Sequence, residues 1–145
     1  MLKKNLSVIK INLFKNIKNQ KASNLNLFNG KGRINKKGLL LKRDWYEVQL
    51  TIPRTITGKT VYPKGSFTAY TPDGYTIQMT TSGDYHKNFG SEKDLKIFGK
   101  WIKNKLVSAK VLKKNQQVTE ITLKKYGNFY LTLTKISAKK YIMNF

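Results

Sequence analysis

Apolar and polar residues alternate with a period of two through much of this chain, the pattern of strands that bury one face. Ser66-Phe67-Thr68-Ala69-Tyr70 and Tyr75-Thr76-Ile77-Gln78-Met79 carry the alternation on either side of Thr71-Pro72-Asp73-Gly74. Proline presets φ and glycine supplies a left-handed position, so this spacing predicts a hairpin. Phe129-Tyr130-Leu131-Thr132-Leu133-Thr134 and Lys140-Tyr141-Ile142-Met143 predict a closing pair of strands. Asn24-Leu25-Asn26-Leu27-Phe28 alternates too, with a turn expected at Asn29-Gly30-Lys31-Gly32. A further strand is expected over Glu47-Val48-Gln49-Leu50-Thr51-Ile52, limited by Pro53. Residues 1–22 mix Lys and Asn with isolated apolar residues, as in Ile9-Lys10-Ile11-Asn12-Leu13-Phe14, and fit a first strand, a docking arm or a connector.

Helical spacing is confined to two places. Ser91-Glu92-Lys93-Asp94 reads as a helix start with Ser91 as its cap. Leu95, Phe98 and Ile102 then share one face, while Lys93, Lys96, Lys100 and Lys103 fall nearly opposite. Thr119 to Tyr126 predicts a second short helix stopped by Gly127. About seven short strands with two short helices predict an α+β, mainly β protein built on a partly open barrel. The expected division is a basic arm or connector over residues 1–22 and one domain over 23–145.

Charge changes the picture most. The 145 residues hold 29 Lys+Arg against 7 Asp+Glu, a formal net charge of +22. Residues 1–43 contain twelve Lys or Arg and no acid, and residues 121–145 five Lys and no acid. Such an excess repels itself unless a polyanion neutralises it, which points to nucleic acid or an anionic membrane surface. No apolar run approaches the length that spans a bilayer, and Asn5, Ser7, Lys10 and Asn12 break any apolar core of a signal peptide. The chain has no cysteine, which excludes disulfides, thiolate nucleophiles and cysteine-ligated zinc, and fits a cytoplasmic location.

Catalytic chemistry is sparse. The single histidine, His86, stands in a polar loop near Asp84, the carboxylates are scattered, and no phosphate-cradling loop, metal cluster or carboxylate pair is apparent. No cofactor, metal or small-molecule substrate is expected. Two segments instead suit DNA. The first runs from Lys36 through Lys37, Gly38, Lys42, Arg43, Asp44, Trp45 and Tyr46 to Glu47. Lysine neutralises phosphate as a point charge, while an arginine fork matches a guanine edge. Asp44 and Glu47 would accept from cytosine or orient Arg43. The second carries Thr80, Thr81, Ser82, Asp84, Tyr85, His86, Lys87 and Asn88, a full set of hydrogen-bonding groups off the end of a strand.

An ordered series of motifs adds to this reading: Gly32-Arg33-Ile34, Gly38-Leu39, Arg43 before Glu47, Ile52-Pro53, Tyr62-Pro63 with Gly65, and Phe67 through Gly74. Leu95-Phe98-Trp101-Leu106 follows, and then Val118-Thr119, Leu123, Tyr126-Gly127 and Tyr141-Ile142-Met143-Asn144-Phe145. From about Asn24 to Phe145 the chain resembles the C-terminal DNA-recognition domain of phospholipase-D-type, metal-independent restriction endonucleases. The resemblance implies a B3-like DNA-binding pseudobarrel whose two arms, residues 36–47 and 80–88, grip the major groove. It departs at Leu40-Leu41-Lys42, where the family carries Asn-Trp-Gly, and the basic stretch after Gly38 is shorter. The family's catalytic domain with its His-x-Lys motif has no counterpart here. The expectation is therefore a recognition domain or specificity subunit in bacterial restriction–modification, binding double-stranded DNA beside a nuclease domain or subunit and not itself an enzyme.

Three other readings stand beside it. A non-specific single-strand DNA or RNA binder of OB-like type would use Trp45 and Tyr85 as stacking platforms. A small nuclease would use His86, and a membrane-surface protein would use its basic first residues on anionic lipid.

Overall fold

The computed structural model describes residues 7–18, 24–29 and 32–145, without the side chains of Lys18 and Arg33. The turn expected at Asn29–Gly32 includes Gly30 and Lys31, which lie outside the described residues, as do residues 1–6 and 19–23 of the expected arm. Nine strands are present among the described residues: β1 Val8–Asn12, β2 Arg33–Ile34, β3 Leu40–Leu41, β4 Leu50–Thr51, β5 Ser66–Tyr70, β6 Thr76–Ser82, β7 Asn88–Ser91, β8 Tyr130–Ser137 and β9 Lys140–Asn144. Four helices accompany them: α1 Leu13–Lys18, α2 Arg54–Thr57, α3 Leu95–Ser108 and α4 Glu120–Tyr126.

Seven strands form one curled sheet in the order β1-β8-β9-β5-β6-β7-β4, and β2 and β3 form a separate ribbon. The fold is mainly β, a half-barrel of the B3-like pseudobarrel kind with a few short helices. The period-two pattern decides what faces inward: Ile9 and Ile11 on β1, Phe67 and Ala69 on β5, Ile77 and Met79 on β6, Leu131 and Leu133 on β8, Tyr141 and Met143 on β9. Neighbouring strands are antiparallel except β5 and β9, which run parallel through Ala69 opposite Tyr141. An aromatic chain fills the concave side, with Phe67 5.2 Å from Tyr141 and 5.7 Å from Phe89, and Phe89 5.7 Å from Phe98. The two sheet edges approach each other where the buried Asn16 amide on α1 donates to the Thr51 carbonyl, 3.1 Å away.

The 66–79 hairpin forms as expected, with Ser66 opposite Thr80 and Gly74 at a φ of 94°. α4 is capped by Thr119 and ends at left-handed Gly127, again as expected. The closing strands pair as β8 and β9. Of the three readings left open for the first residues, a strand is what Val8–Asn12 form, paired with β8 from Val8–Thr134 to Asn12–Tyr130.

Other expectations fail for identifiable reasons. Asn24–Phe28 is not a strand: Asn24 caps the Asn26 amide, Asn26 exchanges side-chain bonds with Val118, and Leu27–Asn29 closes as a 3-10 turn. Side-chain amides bonded to nearby backbone compete with a ladder. The strand expected over 47–52 is regular only at Leu50–Thr51. Ser91 ends β7, and Asp94 is the cap of α3, accepting from the Lys96 amide. Lys103, expected on the solvent side, is fully buried. Among the described residues no helix is long and apolar enough to cross a membrane.

One helix face sets the position of the chain that enters β4. A β-carbon at Gly99 would overlap the backbone carbonyl of Tyr46, so α3 lies directly against residues 45–48. Alanine in place of a helical glycine normally gains about 1 kcal/mol. Here the overlap reverses the sign, and Gly99→Ala is expected to lower unfolding free energy by on the order of 1–3 kcal/mol, measured by urea denaturation.

Candidate nucleic-acid interface

Two projections leave the barrel near the edge strand β4. The first expected arm begins as the β2–β3 ribbon, with Ile34 opposite Leu40. Asn35 builds its turn: its side chain accepts from the Lys37 and Leu39 amides at 2.9 Å, and Gly38 takes a φ of 79°. Lys36, Lys37, Gly38 and Lys42 are exposed. Beyond the ribbon, Arg43 pairs with Glu47 at 3.0 Å, and Glu47 also accepts from the Asp44 amide. Of the two roles open for Glu47, orienting Arg43 is the one its geometry supports. Exposed Asp44 accepts from the Tyr46 amide at 2.8 Å and so shapes the turn.

Trp45 points inward. It is 5% exposed, its indole N–H donates to the Gln116 carbonyl, and its ring is therefore not free as a stacking platform. Tyr46 is half-buried, edge-on to Trp45. Beneath them the Lys103 ammonium donates to the Trp45 carbonyl and lies 4.4 Å from the Trp45 ring and 4.9 Å from that of Phe28. Burial pushes its pKa down to about 7, with Asp44 opposing the shift. Gly99 and Lys103 are one turn apart on α3, so the same face that admits the Tyr46 backbone also clamps Trp45.

The second arm is the end of the β6–β7 hairpin, which pairs from Met79–Ser91 to Ser82–Asn88. Gly83 at φ 78°, then Tyr85 at 44° and His86 at 57°, fold the tip back on itself. Positive φ in two successive non-glycine residues is costly and persists only where neighbours enforce it. Those neighbours are visible. The Tyr62 hydroxyl donates to the His86 carbonyl at 2.7 Å, the Ile52 amide to the Lys87 carbonyl at 2.8 Å, and the buried Thr81 hydroxyl to the Pro63 carbonyl at 2.8 Å. Burial raises the Tyr62 pKa, which keeps this donor protonated. His86 Nδ1 faces the Thr81 hydroxyl at 3.4 Å, so Thr81, not Asp84, is its contact.

Ser82, Asp84 and Tyr85 are exposed at the tip, while Thr80, His86, Lys87 and Asn88 are half-buried and Thr81 serves the scaffold. Tyr85 gathers cations: the Arg54 guanidinium lies 4.3 Å from its ring centre and the Lys87 ammonium 5.9 Å. Tyr85 also walls a groove of about 540 Å³ at the barrel seam, lined by Lys10, Lys15 and Tyr130 among others. Arg54, Lys10 and Lys15 were not singled out from the sequence. Arg54 directly follows the strand-ending Pro53, which was the available signal, whereas the seam appears only once β1 and β4 are brought together.

Among the described residues no group of three or more His, Cys, Asp or Glu side chains could hold a metal ion. The arrangement offers hydrogen-bonding groups and cations on two projections.

Residues 1–137 match the family model of the NgoFVII C-terminal B3-like DNA-binding domain, and the chain belongs to that family. It is a DNA-binding domain of the B3-like kind found in restriction endonucleases, and DNA is its partner. The match extends the resemblance back through β1. No curated protein matches the chain.

The buried Lys103 generates a test. With its pKa lowered in the folded state, the unfolded chain binds the extra proton between about pH 7 and the ordinary lysine value, so stability from this group rises with pH across that window. Lys103→Met lacks this dependence. Denaturation series at several pH values should find wild type gaining on the variant from about pH 7 upward.

Proposed function

We propose that this domain binds double-stranded DNA sequence-specifically, with residues 36–47 and 80–88 as two arms in the major groove. The observation that carries the reading is the placing of two cation-bearing projections on either side of β4 in the chain. Lys36, Lys37, Lys42 and Lys87 hold phosphates. Arg43, steered by Glu47, and Asp84, Tyr85 and Asn88 at the second arm read bases. Trp45, Tyr46 and Thr81 act through the arms' shape. Thr80, Ser82 and His86 complete the second arm's polar surface, and Arg54 adds a cation to its flank.

The domain binds and does not cut. It serves as the recognition domain or specificity subunit for a nuclease that sits in a separate domain or chain. The His86 ring nitrogen faces the Thr81 hydroxyl, which favours a contact role.

Selection from a random-sequence duplex pool at moderate salt, followed by sequencing of the retained fraction, tests the reading. A motif of a few defined base pairs is expected; retention without enrichment would reduce the domain to a backbone binder. Replacing Lys36, Lys37 or Lys42 by alanine should weaken cognate and random DNA alike and lower the salt slope by about 0.9 per contact. Arg43→Ala should cost roughly 1–3 kcal/mol at a single base position. Equal losses on cognate and random DNA would remove Arg43 from base reading.

A further inference from the structure

The β2–β3 ribbon carries an unexpected surface for a cationic arm. Ile34 is 71% and Leu40 68% exposed, and the two are directly opposed. Opposed residues in an antiparallel ribbon share a face, so they form one apolar platform open to solvent. Leu39 and Leu41 are exposed as well, at 59% and 39%. An exposed apolar cluster is informative where a scattered apolar residue is not. Lys36, Lys37 and Lys42, which flank the platform in sequence, are exposed, and residues 32–43 contain no carboxylate.

An apolar centre flanked by cations is the complement of a surface with an apolar floor between anionic walls. The major groove is such a surface wherever thymine places its C5 methyl between two phosphate backbones, and its width admits a two-stranded ribbon. Building on the proposed duplex recognition, we propose that the β2–β3 ribbon reads thymine, with Ile34 and Leu40 resting on C5 methyl groups while Lys36, Lys37 and Lys42 hold the flanking phosphates. Recognition by this part of the arm is thus apolar. Ile34 and Leu40 are its specificity-determining residues, and Asn35 and Gly38 shape the turn that presents them.

The test uses the duplex retained in the selection above and copies in which each thymidine in turn is replaced by deoxyuridine, which removes only the C5 methyl. Wild type should lose about fourfold in affinity per methyl at one or two positions, the equivalent of about 0.8 kcal/mol per buried carbon. Leu40→Ser and, independently, Ile34→Ser should each lose the distinction between thymine and uracil at the position that its side chain covers. Both positions are exposed, so unchanged melting temperatures are expected and would show that folding is intact. Uracil neutrality at every position in wild type would overturn the inference while leaving duplex recognition standing. If Leu40→Ser then also bound DNA unchanged, the platform would belong to a protein partner instead. Failure of wild type to retain any duplex would overturn both readings together.

Discussion

A chain with a formal charge of +22 has to fold against its own field. Mutual repulsion among 29 cations cannot be relieved by 7 carboxylates, and the structure does not attempt it. Among the described residues only Arg43–Glu47 and Lys105–Asp73 form ion pairs. Other carboxylates serve local backbone: Asp44 accepts from Tyr46 and Asp94 from Lys96. Cohesion therefore falls on the apolar interior, where Tyr141, Phe67, Phe89 and Phe98 meet one after another in edge-on and tilted contacts. Apart from the buried Lys103, the uncompensated charge is left outside, where a polyanion stabilises the fold as it binds, since a ligand that prefers the folded state adds to its stability.

The two projections are built on different principles. The β6–β7 tip is fixed by bonds from outside itself, from Tyr62, Ile52 and, through Thr81, from Pro63. Its left-handed residues are imposed by that frame. The β2–β3 ribbon is held at its base, where Gly99 and Lys103 grip the Tyr46 and Trp45 backbone, while its own turn is closed from within by Asn35. The tip is thus fixed by its surroundings, and the ribbon at its base and within its own turn.

Much of the barrel was legible because its signals are local. Thr71-Pro72-Asp73-Gly74 has one good conformation whatever surrounds it, and Thr119 and Gly127 bound α4 by their own chemistry. Asn24–Phe28 misled because alternation cannot distinguish a ladder from a turn stitched by asparagine side chains to Val118, far along the chain. Lys103 misled for the opposite reason. Helical spacing put it among solvated lysines, but the segment that covers it arrives from tertiary packing. The orientation of Trp45 and Thr81 was not readable, since an aromatic or hydroxyl among cations has the same local sequence whether it faces in or out. Arg54 lies against Tyr85, some thirty residues further along the chain, a contact that no short window contains.

The parallel pairing of β5 with β9 has a consequence for how the molecule comes into being. The sheet consists of two blocks, β1-β8-β9 and β5-β6-β7-β4, joined along that one ladder. Its inner partner is the last strand in chain order, and the first strand, β1, waits for β8 before it has a neighbour. The outer strands of the first block, β1 and β9, lie at opposite ends of the described chain, whereas β4 and β5 of the second are near in sequence, so the second block closes on shorter loops. Folding of this kind is slow relative to chains dominated by local contacts. A nascent chain would carry β5, β6 and β7 as an open-edged half-sheet until β9 emerged, and its lysine-rich exterior would keep such half-sheets apart by repulsion during that interval.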